Sequence, residues 1–272
     1  MAQTRSTCKF CGGEDLSDEH IFAKWIGRLL VKEVPPGARY VFRHRSAHPD
    51  AGVAEHDKTA SLPAYRTRSF CTRCNNGWMS RLEECVRPIL EPLILGEPRT
   101  LSRGDQETLA FWATKTLLGF QAIDHPTTKW ARSEDYAALY EAQAPLPYSQ
   151  VWLGASDDGG GGWQRAHEIR LRGNASERVD GFGATLIIGH AVFYLLIGYG
   201  GRVGTRLRYQ AAFTLKEIWP SAREELKWPP AVTLAKLPAT GVTELVMRNS
   251  ITVGRARTWA AGPTDRSPKL GF

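Results

Sequence analysis

Two distant pieces of this chain read as a single site: Cys8-Lys9-Phe10-Cys11 followed by Glu19-His20-Ile21-Phe22, and Cys71-Thr72-Arg73-Cys74 running into Asn75-Asn76-Gly77-Trp78. Each piece opens with a Cys-x-x-Cys pair, and two such pairs supply four soft thiolates at a spacing that suits tetrahedral zinc. Meeting on one ion, they would draw Glu19, His20 and Asn75 into one neighbourhood. The thiolates then act as a structural staple, and the Glu, His and Asn between them carry the candidate chemistry.

Working outward, Gly12-Gly13 gives the first pair the tight backbone turn that thiolate ligation requires. Ile21, Phe22, Trp25, Ile26, Leu29 and Leu30 recur at helical spacing, and Pro35-Pro36-Gly37 ends that helix. Short strands are expected at 40–42 and 64–70, with a polar loop over 46–60 between them and surface histidines at His44, His48 and His56. Asn75 or Asn76 is suited to cap a helix starting near Gly77. Its buried face would hold Trp78, Met79, Leu82, Val86, Ile89 and Leu90, Cys85 is expected to be a small core residue, and Pro88 suggests a break or kink. Residues 93–103 read as a domain boundary.

Beyond it, residues 105–123 form an amphipathic helical pattern and 133–141 a second helix. The pattern then turns strand-like at 149–153, 168–172, 184–188, 191–197 and 210–215. Asp157-Asp158 and the glycines after it read as a hairpin tip. The fold class is therefore α+β: a zinc-bound N-terminal module over 1–100, then a domain over 101–272 with helices followed by an antiparallel sheet.

Composition narrows the function classes. The chain of 272 residues is 42% hydrophobic and 23% charged, as in an ordinary globular protein. No apolar run reaches the roughly 20 residues of a membrane span, and the N-terminus lacks the apolar stretch of a signal peptide. The expected location is the cytoplasm, where paired cysteines mean metal more often than disulfides. Net charge is +7, and the excess positive charge falls in the first hundred residues and the last forty, with the segment between them neutral. A basic surface beside a metal site suits a polyanion, nucleic acid first.

Cys-x-x-Cys, Glu-His-Ile and Cys-x-x-Cys-Asn together resemble the zinc-stapled branch of the His-Me finger (ββα-metal, HNH) endonucleases, over about residues 8–90. The resemblance implies that His20 is the general base and that Glu19 and Asn75 bind a catalytic divalent ion. Two oxygen ligands with open positions suit Mg²⁺ or Mn²⁺. Many relatives place a further ligand one or two helical turns after the Asn; here that stretch offers Arg81, Glu83 and Glu84, with Glu83 a secondary candidate. Arg73, Arg81 and Lys24 are the expected nucleic-acid contacts, with DNA the expected partner and RNA open. The resemblance extends to phage defence or mobile-element processing and to homodimers. The rival reading is a zinc ribbon that binds nucleic acid or protein without cleaving anything.

Overall fold

The computed structural model describes residues 6–32, 40–46, 56–157, 159, 162–169, 179–200, 205–207, 214–234 and 250–252. In chain order the first elements are β1 (Leu16–His20), α1 (Lys24–Lys32), β2 (Phe42–Ser46), β3 (His56–Ala60) and β4 (Arg66–Cys71). A single turn, α2 (Thr72–Cys74), leads through a wide turn at Asn75–Met79 into α3 (Ser80–Leu95). β5 (Arg99–Ser102), α4 (Arg103–Ile123) and α5 (Ser133–Ala142) follow. The remaining strands are β6 (Ser149–Ala155), β7 (Gly162–Ile169), β8 (Gly181–Ile188), β9 (Ala191–Gly198), β10 (Thr205–Leu207), β11 (Lys216–Trp219), β12 (Glu225–Trp228) and β13 (Ser250–Thr252). Residues 210–213 and 170–172 of the expected strands lie outside the described residues, as does His48.

The class is mixed α and β with a mostly antiparallel sheet. Its seven strands run in the order β11-β6-β9-β8-β7-β2-β3, and β2 and β7 alone among them pair in parallel. β8 and β9 are buried along their whole length, which explains why both read as unbroken apolar runs rather than alternating ones. One face of the sheet packs on α4, with Trp112 against Phe193. The other face carries Trp152, Ile187, Val192, Tyr194 and Leu196 in a second cluster.

Several expectations change here. Residues 158, 160 and 161 of the expected hairpin tip lie outside the described residues, and the strands that flank it are not neighbours: β6 pairs with β9 and β7 with β8, so two strands stand between β6 and β7. The loop expected over 46–60 contains β3, which pairs with β2 and forms the sheet edge. His44 is fully buried rather than on the surface. Its ring stacks on Phe120, Nε2 bonds Asp124 at 2.6 Å, and Nδ1 meets Gln164.

β2 and β3 complete a sheet whose other strands all lie beyond residue 148, and one buried cluster runs from Cys8 to Trp228. α4 is the axis of that cluster. Ser102 and Asp105 cap it reciprocally, and nearly all its side chains are buried, including Gln106, Thr114, Lys115 and Gln121. The amphipathic pattern expected of this helix is thus overridden: its polar side is buried too, and finds partners there.

α3 runs through Pro88 and Pro92 to Leu95 and stops where Gly96 turns left-handed (φ 79°). The Glu97 amide bonds the Pro92 carbonyl at 2.8 Å, closing the helix end. Cys85 lies exposed on this helix, not in the core. Leu82, Val86, Ile89, Leu90 and Leu93 take the buried face instead.

Candidate functional site

The cysteine centre forms where two backbone turns meet. In the first, Gly12 sits at φ 72° and its amide bonds the Cys8 carbonyl at 2.8 Å, while the Cys8 amide bonds the Gly13 carbonyl at 2.7 Å. A side chain at Gly12 would strain this turn. In the second, Cys71 caps α2, its Sγ accepting from the Cys74 amide at 3.4 Å. The four Sγ atoms lie within 4.8 Å of one another, with Cys8–Cys74 at 3.9 Å and Cys11–Cys71 at 3.4 Å. A tetrahedral zinc with bonds of about 2.3 Å sets sulfurs about 3.8 Å apart, so the donor set fits an ion such as zinc.

Burial pushes the Cys71 and Cys74 thiols up. Cys11 falls to about 6: burial opposes its thiolate, but the Gly13 backbone, Arg73, Cys71 and Cys74 together outweigh it. Arg73 is therefore engaged at the cysteine centre, donating to Cys11.

β1 and β4 pair antiparallel, and β4 delivers the chain through Cys71 directly into the helical segment. The result is two strands followed by a helix, stapled at one end by the four cysteines. The register slips between Ser17 and Glu19, an irregularity of the kind that re-aims side chains. Asn75 has helical backbone angles and is not the N-cap of a helix: Cys71 holds that position for α2, and the Asn75 amide closes the end of that turn on the Thr72 carbonyl. Its side chain is left to bond Ser17 Oγ at 3.3 Å and the Glu19 carboxylate.

Glu19 is half-buried with its pKa raised. Burial is the main cause and the nearby Glu83 carboxylate adds to it, against Lys115, Asn75 and Arg66. Glu83 reaches this cluster from the first turn of α3. Its Oε1 accepts from Lys115 Nζ at 2.6 Å and from Trp112 Nε1 at 3.0 Å, both on α4. Its Oε2 is buried with no hydrogen-bond partner among the described residues. The structure thus brings Glu83 and Lys115 to the Glu19–Asn75 pair. Glu83 was legible only as a helix-spacing candidate, and Lys115 carried no sequence signal.

His20 ends β1 opposite Arg66 on β4. Its pKa is lowered, first by burial and then by the charges of Arg66 and Lys24; the Pro63 carbonyl and Asp18 oppose the shift. Nδ1 is buried without a well-aligned partner among the described residues. Neutral imidazole is therefore the favoured form near neutrality, as a proton acceptor requires. Lys24 is exposed at the start of α1, and Arg66 pairs with Asp18 at 2.9 Å. Arg66 also influences Glu19, so one guanidinium lies near both the imidazole and the carboxylate. Arg81 is exposed on the first turn of α3.

No protein family, curated protein or solved structure matches this chain. Among the described residues no helix is long and apolar enough to cross a membrane.

Proposed function

We propose that this chain is a divalent-metal-dependent endonuclease that hydrolyses phosphodiester bonds in DNA. The observation that carries the reading is a neutral-leaning His20 next in sequence to Glu19, whose carboxylate is bonded to Asn75, with Lys24 and Arg66 close by. His20 accepts the proton of the attacking water. Lys24 and Arg66 attract the phosphodiester, and Arg81 extends the basic surface along α3. Glu19 and Asn75 hold Mg²⁺ or Mn²⁺, which when bound neutralises phosphate charge and assists the leaving oxygen. The four cysteines hold zinc as a structural ion, which suits a reducing cytoplasm.

The test is nicking of supercoiled plasmid with Mg²⁺, Mn²⁺ or EDTA, comparing wild type with His20→Ala at matched zinc content and Tm. Metal-dependent nicking that drops about 10²- to 10⁴-fold in His20→Ala is the expected result. Cleavage of RNA alone would change the substrate class. Cleavage that survives the substitution would remove His20 as the base.

A second reading, a zinc-stapled module that binds nucleic acid without cutting it, draws on the Nδ1 of His20, which has no well-aligned hydrogen-bond partner among the described residues. It predicts salt-sensitive DNA binding that is indifferent to His20→Ala and to EDTA at concentrations that leave zinc in place.

A further inference from the structure

We propose that Lys115 couples divalent-ion binding to phosphodiester binding, by standing as a built-in cation between the ion's carboxylates and the core. This inference rests on the nuclease reading of the same site.

The geometry is asymmetric at Glu83. Oε1 takes two donors from α4, Lys115 and Trp112, while Oε2 is buried and has no hydrogen-bond partner among the described residues. A carboxylate held by one oxygen and open at the other is how a ligand is oriented from behind by its supporting shell. Lys115 is 4% exposed and Glu83 14%, so the ion pair is largely out of water and its partners cannot be exchanged for solvent without cost. The same ammonium acts on Glu19, and the Glu83 carboxylate acts on Glu19 in the opposite sense. Arg66, the other cation felt by Glu19, is already paired with Asp18.

Charge accounting then decides the behaviour. Glu19 and Glu83 are two negative charges, and Lys115 cancels one of them. A divalent ion added alone leaves the site with an excess positive charge in a poorly solvated place. A phosphodiester arriving with it restores neutrality. Without Lys115 the two carboxylates match a divalent ion by themselves, so the ion would bind tightly before substrate and attract the phosphate less. Lys115 thereby keeps the ion weakly held until DNA is present, and by linkage the ion and the DNA must each strengthen the other's binding by the same factor.

The experiment uses zinc-loaded protein in a His20→Ala background, which leaves the duplex intact. Mn²⁺ affinity is read from the electron paramagnetic resonance signal of the free ion, without DNA. Duplex affinity is read by fluorescence anisotropy with and without Mn²⁺. With Lys115 in place, Mn²⁺ alone binds weakly and tightens duplex binding about tenfold or more. Lys115→Met raises the affinity for Mn²⁺ alone by about tenfold and cuts the Mn²⁺ effect on duplex binding below about threefold. Lys115→Arg, which keeps the charge, behaves like the parent.

Unchanged or weaker Mn²⁺ binding in a folded Lys115→Met protein overturns the inference, and normal plasmid nicking by the His20-containing protein would then leave the nuclease reading standing. If neither protein binds Mn²⁺ while zinc and fold are intact, both readings fall together. Should Lys115→Met not fold, Glu83→Gln carries the test. The lysine then faces Glu19 alone, and Mn²⁺ affinity must fall at least about tenfold; no change would overturn the coupling.

Discussion

The cysteine centre and the acidic centre both adjoin the β1–β4 pair yet are built on opposite principles. The first takes four chemically identical ligands from two short local turns, and nearly every feature of it is set within six residues of a cysteine. The second takes unlike groups from four elements: Glu19 on β1, Asn75 after α2, Glu83 on α3 and Lys115 on α4. A local motif can specify a staple because its backbone turns orient the ligands. A site that must hold opposed charges in a half-buried pocket needs the tertiary fold to bring the compensating charge.

The largest effect expected from this contrast falls on the staple. Wild-type protein should carry about one zinc per chain by mass spectrometry, and Cys74→Ser should lose it and unfold the N-terminal strands, as expected where metal binding and folding are coupled. A folded variant without metal would show that the sulfurs only pack. Asn75→Ala should instead leave metal content and fold in place while abolishing most Mg²⁺-dependent nicking. If it removes the zinc as well, the two centres are one structural unit.

Trp112→Phe tests the support behind Glu83. Loss of one donor to a largely buried carboxylate should cost about 1–2 kcal/mol in denaturant unfolding and weaken Mn²⁺ binding by a few fold, with the cysteine centre untouched. A smaller but informative effect concerns pH. The folded pKa of His20 is lowered, so the ring stays neutral below the ordinary imidazole value of 6.5. The acid limb of the nicking rate should therefore have its midpoint below pH 6.5. In stability the same shift acts only on acidification: between pH 6.5 and the lowered folded value the unfolded chain takes up the proton more readily, and stability falls. An acid limb above 6.5 would mean a carboxylate neighbour dominates, contrary to the burial of the ring and the positive charges of Arg66 and Lys24. Cys85→Ser should change neither metal content nor Tm, because that thiol is exposed and away from the other four.

Parts of this architecture were legible and parts were not, for reasons that can be named. The two helices over 103–123 and 133–142 and the buried pair β8–β9 follow from apolar periodicity and capping residues close in sequence. His44 was misread because its neighbours in sequence are polar; its partners Asp124 and Gln164 lie 80 and 120 residues away. The cap expected at Asn75 failed because Cys71, ending β4, already accepts the amide of Cys74. That displacement is what leaves the Asn75 side chain available to Glu19.

By itself, the sequence determined the four-thiolate cluster, the adjacency of Glu19 and His20, and the strand-to-helix passage at Cys71–Asn75, because each depends on bonds within one turn or on spacing along one element. Only the tertiary structure decided that β2 and β3 join the large sheet, that α4 is buried on nearly every side, and that Lys115 meets Glu83. Those contacts depend on surfaces far apart in the chain being buried together, and burial selects a partner for a charge wherever in the sequence that partner lies.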